Sequence, residues 1–217
     1  CIAALELFDA KPLYPVKGLF HLLPPGGIES FLDQLDWQNP WRASHQGAGC
    51  YVSLVLTDMA DQAWKDRYFN WLWEESDAES GMLRKGFITE SRQPPSLFPV
   101  MAGTFHYLFN MESDRRPLRY PQALIDSCFK MRCQTSFAVD RGAGFAPVDW
   151  VYCLTRALRQ SGYRYEECHT ELLDFTQVYL GWLLSQDFAK DDGRSMTCTT
   201  SLGRSVAWRN CKPSCRG

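Results

Sequence analysis

Hydrophobic positions recur along this chain at three- and four-residue intervals over most of its length, and the apolar/polar alternation of a half-buried strand is scarce. The pattern predicts an all-α protein. After a segment rich in proline and glycine (Pro12, Pro15, Pro24, Pro25, Gly26, Gly27), a short amphipathic helix is expected over 28–35, followed by a turn over 36–41. Two helices are then expected over 46–61 and 63–75. In the second, Trp64, Tyr68, Trp71 and Leu72 fall at the i, i+4, i+7, i+8 spacing of one buried stripe, and the two should form a hairpin. A loop with Gly81, Gly86, Pro94 and Pro95 precedes further helices over 98–111, 121–131, 147–160 and 165–186. Pro121 and Pro147 suit first-turn positions, where a missing N–H costs nothing.

The chain also echoes itself. Tyr68-Phe-Asn-Trp71-Leu72 is followed by Asp77-Ala-Glu-Ser-Gly81, and Tyr179-Leu-Gly-Trp182-Leu183 by Asp191-Asp192-Gly193. Between them, the helix carrying Cys128 and Phe129 leads to Asp140-Arg-Gly-Ala-Gly144. Three times a helix runs into an Asp/Gly turn, at a spacing of roughly 50 to 60 residues that suits helix-hairpin repeats. Glycine supplies the positive φ that ends a helix, and aspartate hydrogen-bonds the turn backbone.

Helix hairpins with such turns behind aromatic helices resemble the α/α-toroid of the terpenoid cyclase and protein prenyltransferase superfamily, over about 46–193. The resemblance implies consecutive antiparallel hairpins forming a partial or complete toroid. On this reading 1–45 is an irregular segment with a short helix, 46–193 the toroid domain, and 194–217 a basic tail holding Cys198, Cys211 and Cys215. About three hairpins are visible where complete toroids have more, so a fragment or an open arc is expected.

Composition narrows the function classes. The 217 residues are 45% hydrophobic and 14% aromatic, enough for a substantial core, and the heavy aromatic load suits either a large core or a concave pocket. A formal net charge of -2 gives no electrostatic ground for a nucleic-acid partner. Charge is uneven, however: five basic against twelve acidic side chains through Ser80, and six against two from Lys190 onward. No apolar run approaches the roughly 20 residues of a membrane span. Cys128, Cys133, Cys153 and Cys168 sit in apolar helical patterns and read as reduced thiols, so a soluble, cytoplasmic protein is expected. The start at Cys1 has neither an initiator Met nor a signal-peptide pattern, and a beginning inside a longer protein is expected, whose remainder could bring a protein partner.

The sharpest chemical motif is Leu124-Ile-Asp126-Ser-Cys128-Phe129, which resembles the Asp-x-Cys segment of protein prenyltransferase β subunits. By that resemblance Asp126 and Cys128 would be zinc ligands. The family's third ligand, a His ahead of a Tyr-Cys-Leu-like stretch, is missing from Asp149-Trp-Val-Tyr152-Cys153-Leu154, so His106 or His169 would have to substitute. The Asp-x-Asp-Asp motif of squalene-type cyclases and the Asp-Asp-x-x-Asp motif of terpene synthases are absent.

Helical spacing also places Gly103, His106, Tyr107 and Asn110 on one face, and Asp149, Cys153, Arg156 and Gln160 on another. In an α/α barrel such faces line a central cleft. There His106, Asp126 and Asp149 are the candidate catalytic groups, with Tyr107, Asn110, Tyr152 and Arg156 as substrate-binding ones. The competing reading of the same residues is satisfied polar contact between helices. The leading function is a small-molecule-binding toroid domain, a transferase or cyclase relative acting on an apolar, isoprenoid-like substrate. Two alternatives stand: a carbohydrate-active α/α barrel using Asp77 or Asp149 on a saccharide, and a non-enzymatic helical-repeat scaffold. Walker, dinucleotide, Gly-x-Ser-x-Gly and His-Glu-x-x-His motifs are all absent.

Overall fold

Caps and prolines, more than hydrophobic period, decide where the helices begin. A computed structural model describes Leu5 and residues 8–88, 96–133 and 145–185. Within the segment expected to be irregular, a 3-10 helix covers Lys17–Leu22, and Gly26, at φ 80°, leads into α1 (Gly27–Asp33). Asn39 accepts a hydrogen bond from the Arg42 N–H at 3.3 Å and Pro40 takes the first helical position. Helix α2 (Pro40–Val55) therefore starts well ahead of the expected residue 46. Its end is set by Asp58, at φ 56°, with the Met59 and Ala60 N–H groups both turned back on the Leu54 carbonyl. Asp61 caps α3 (Gln62–Glu74) by accepting from the Trp64 N–H at 2.7 Å. The remaining helices are α4 (Leu97–Ser113), α5 (Pro121–Arg132), α6 (Phe145–Ser161) and α7 (Tyr165–Ser185), each within a few residues of expectation. Among the described residues the sole strand-like pairing is an isolated bridge, Ser76 with Leu83, and the fold is all-α.

The chain divides into two compact units, Cys1–Tyr120 and Pro121–Gly217. Leu22, Ile28 and Leu32, from the segment assigned to 1–45, are fully buried in the first unit.

Touching residues give the helix directions in that unit. Between α2 and α3, Tyr68 donates its O–H to the Gly47 carbonyl at 3.3 Å, and Tyr51 stacks on Trp64 at 6.2 Å. One number rises as the other falls, so the pair is antiparallel and the expected hairpin is present. Helices α3 and α4 are antiparallel too, through Tyr68 with Asn110 and Lys65 with Asp114. Helices α2 and α4 run parallel: Pro40 lies beside Gly103, Ser44 beside His106, and the Ala48 carbonyl beside Asn110. Helices α1 and α3 do the same, with Glu29 at Arg67 and Asp33 at Trp71. Sequential long helices are antiparallel and alternate ones parallel, the arrangement of stacked hairpins.

Two glycines permit the close α2/α4 approach. A Cβ on Gly47 would sit 2.1 Å from the Tyr107 hydroxyl, and one on Gly103 would sit 3.0 Å from the Pro40 carbonyl oxygen. Around this crossing pack two ring clusters, Trp37 stacked on Trp71, and Tyr51, Trp64 and Tyr68 stacked on one another. Burial of each such ring contributes on the order of 2–3 kcal/mol. Trp64 meets its polar requirement by donating to the Leu22 carbonyl at 2.8 Å. The aromatic surplus of this unit is thus largely architectural.

The turn after α3 is built as its Asp/Gly pattern implies. The Asp77 carboxylate accepts from the N–H groups of Glu79, Ser80 and Gly86 and from the Ser80 hydroxyl, while Gly81 and Gly86 take φ of 69° and 71°. Burial alone would raise the Asp77 pKa, but these four bonds outweigh it and hold the group below its ordinary value. The other two expected turns, 140–144 and 191–193, and the tail 194–217 lie outside the described residues.

In the second unit α5 and α7 run parallel, joined by Asp126 with Arg164 and Arg132 with Glu171. Helix α6 is the core element, buried continuously over 147–155. Its Trp150 donates to the Cys128 carbonyl on α5 at 2.9 Å and meets Phe175 of α7 at 5.9 Å.

Candidate functional site

The predicted site residues fall in both units. His106, Tyr107 and Asn110 belong to the first; Asp126, Asp149, Tyr152 and Arg156 belong to the second.

In the first unit most of the predicted polar face is turned into packing. Asn110 is buried and its side-chain amide donates to the Ala48 carbonyl at 3.2 Å and to the Tyr68 hydroxyl at 2.8 Å. Tyr107 is fully buried, stacks on Trp37, and leaves its hydroxyl with no hydrogen-bond partner. Both side chains lie in the interior between helices. His106 is only partly covered. Its Nδ1 lies 2.8 Å from Ser44 Oγ, and its ring centroid is 4.3 Å from that of His45. Burial, and secondarily the charge of His45, lower the His106 pKa to about 4, so the imidazole is neutral at physiological pH. Ser44 and His106 have the separation of a nucleophile and its base, but Ser44 is fully buried and also lies 2.9 Å from the Trp41 carbonyl. An acyl group could not reach it. Ser44, His45 and Trp41 were not among the predicted residues, because nothing in their spacing signals a partner sixty residues away.

In the second unit Asp126 is half-exposed and accepts from Arg164 at 2.7 Å. Arg164 also pairs with Glu167 and covers the Phe129 ring at 4.1 Å. Cys128, two residues on, is fully buried, and burial pushes its thiol up. Positions i and i+2 of a helix point about 200° apart, which separates the carboxylate from the thiol. Among the described residues no group of three or more His, Cys, Asp or Glu side chains is arranged to hold a metal ion. The zinc pair implied by the resemblance therefore does not fit these residues.

Asp149 is different. It lies in α6 with 2% of its surface exposed, and its Oδ2 has no hydrogen-bond partner. Burial raises its pKa to about 8, so the group is a neutral carboxylic acid at pH 7. Tyr152, Cys153 and Arg156 follow at i+3, i+4 and i+7 on the same side of the helix, with the Arg156 guanidinium 4.6 Å from the Tyr152 ring centre. A buried acid with an unused oxygen costs stability, which makes Asp149 a candidate for an acting group.

Against known protein families, curated proteins and solved structures, the chain has no match. No described helix is long and apolar enough to cross a membrane.

Proposed function

We propose that this chain is a ligand-binding domain of the α/α-toroid type, related to terpenoid cyclases and protein prenyltransferases. It takes an apolar, isoprenoid-like ligand and offers it the Asp149 carboxyl as hydrogen-bond or proton donor. The observation that carries this reading is the buried, unpartnered Oδ2 of Asp149. A neutral acid there suits an electron-rich, uncharged group, whereas a carboxylate would suit a cation. Arg156, seven residues on from Asp149 in α6, would face an anionic head group, and Tyr152 beside it supplies an aromatic surface. Alternation of parallel and antiparallel helices supports the toroid part of the reading.

The saccharide alternative draws on Asp77 or Asp149. Asp77 is already committed to its turn, and Asp149 is the only acid in α6, so a flanking carboxylate pair has less support. The scaffold alternative draws on the use of Asn110, Tyr107 and Asp126 in contacts within the protein.

Calorimetric titration with a C15 isoprenoid alcohol, the corresponding diphosphate and an oligosaccharide tests the proposal. Binding of an isoprenoid, weakened about fivefold by Asp149→Leu, is the expected result, the loss of one hydrogen bond being worth about 1 kcal/mol. Binding of the oligosaccharide alone, or of nothing, contradicts it.

A further inference from the structure

His45 of α2 and His106 of α4 stand on adjacent parallel helices with ring centroids 4.3 Å apart and planes tilted by 43°. Trp41 packs edge-on against both, at 5.0 and 4.9 Å. His45 is exposed, so the pair opens to solvent on one side.

Proton accounting fixes which His106 nitrogen is available. Ser44 Oγ lies 2.9 Å from the Trp41 carbonyl oxygen and 2.8 Å from His106 Nδ1, and a hydroxyl has one proton. Both contacts are satisfied only when Ser44 donates to the carbonyl and His106 Nδ1–H donates to Ser44. Nε2 is then left with its lone pair. Metal-binding imidazoles are held in this way, by a hydrogen bond from the nitrogen that does not ligate.

The ring separation is compatible with a shared ion. A Zn–N bond is about 2.0 Å and a ring centre lies about 1.2 Å behind its nitrogen, which puts each centroid about 3.2 Å from the metal. At the right angle of a tetragonal Cu²⁺ site two such ligands have centroids about 4.5 Å apart, a few tenths of an ångström from what is seen, and at the tetrahedral angle of zinc about 5.2 Å, a gap that a turn of the exposed His45 side chain would have to supply. No described third side chain completes the set, so the other positions would be filled by water or an external donor.

We propose that His45 and His106 form an open, two-imidazole site for Zn²⁺ or Cu²⁺ on the first unit, with Ser44 orienting His106. The site is independent of the reading of Asp149. Four histidines occur in the whole chain, so the share of each in metal binding can be read by substitution. The chelator-treated full chain is titrated calorimetrically with zinc chloride and with copper sulfate. One equivalent is expected to bind. His45→Ala, which alters an exposed side chain, and His106→Ala should each weaken binding at least tenfold, and Ser44→Ala about tenfold. A double variant, His21→Ala with His169→Ala, should bind as the original does. Absence of binding, binding unchanged by His45→Ala, or binding lost in the double variant overturns the proposal.

Discussion

Gly47 and Tyr107 meet so closely that a single methyl group on the glycine would fall 2.1 Å from the tyrosine hydroxyl and 2.9 Å from its ring carbon Cζ. The contact sets how near α2 and α4 approach, and it buries a hydroxyl with nothing to bond. Opposite outcomes are therefore expected at the two positions. Gly47→Ala should destabilise the protein by about 1–3 kcal/mol through overpacking. Tyr107→Phe removes an unsatisfied polar atom and should leave stability unchanged or slightly raised. Denaturant midpoints of the two variants check both, and a marked loss in Tyr107→Phe would show that the hydroxyl has a partner after all.

Asp77 holds four hydrogen bonds in one turn. Asp77→Ala leaves buried N–H groups of Ser80 and Gly86 without their acceptor and should cost about 3 kcal/mol. Thermal unfolding measures the cost, and a change below about 0.5 kcal/mol would mean that the turn is held by its glycines alone.

Asp126 pairs with Arg164 at the surface, and Arg164 keeps Glu167 as a second partner. Asp126→Ala should accordingly shift stability by less than about 1 kcal/mol and leave any bound zinc unchanged. Elemental analysis of the two proteins decides the second point. Stoichiometric zinc that disappears with Asp126 would reinstate the ligand role that the resemblance implies.

His106 and Asp149 should give opposite pH slopes. The His106 pKa is about 4 in the native protein against an ordinary 6.5, so below pH 6.5 the unfolded chain takes up the proton first. Stability from this group is complete above 6.5 and is lost as pH falls towards 4, by at most about 3 kcal/mol. His106→Gln should flatten that acid limb. For Asp149 the native value is about 8 against an ordinary 3.8. Here the unfolded chain releases its proton first, and stability declines as pH rises from 4 to 8. Asp149→Asn should abolish this decline and be at least as stable as the original protein at pH 8. Urea unfolding across pH 4 to 8 follows both slopes.

The helices could be read from the chain because apolar period and capping residues are local. Trp64, Tyr68, Trp71 and Leu72 are buried as the stripe required, and Asp77 with Gly81 forms the expected turn. Helix α2 starts ahead of the position its hydrophobic period implies, because the cap at Asn39 and the proline after it outweigh that period. Candidate chemistry was less legible, since it depends on which face of a helix meets which neighbour. Asn110 looked like a ligand-facing amide, yet its partners lie in α2 and α3. Asp126 and Cys128 matched a motif at a spacing that turns their side chains apart on α5. Ser44, His45 and Trp41 become visible only when α2 is laid parallel to α4, and no sequence pattern announces that register.

Carbon-13 NMR of the Asp149 carboxyl, titrated from pH 4 to 10 with and without a C15 isoprenoid alcohol, is the most direct test. A protonated carboxyl at pH 7, a midpoint near 8, and a resonance that moves when the alcohol is added are predicted. A carboxylate already ionised at pH 6, with a signal indifferent to the alcohol, would contradict the assignment of Asp149 as the ligand-facing acid.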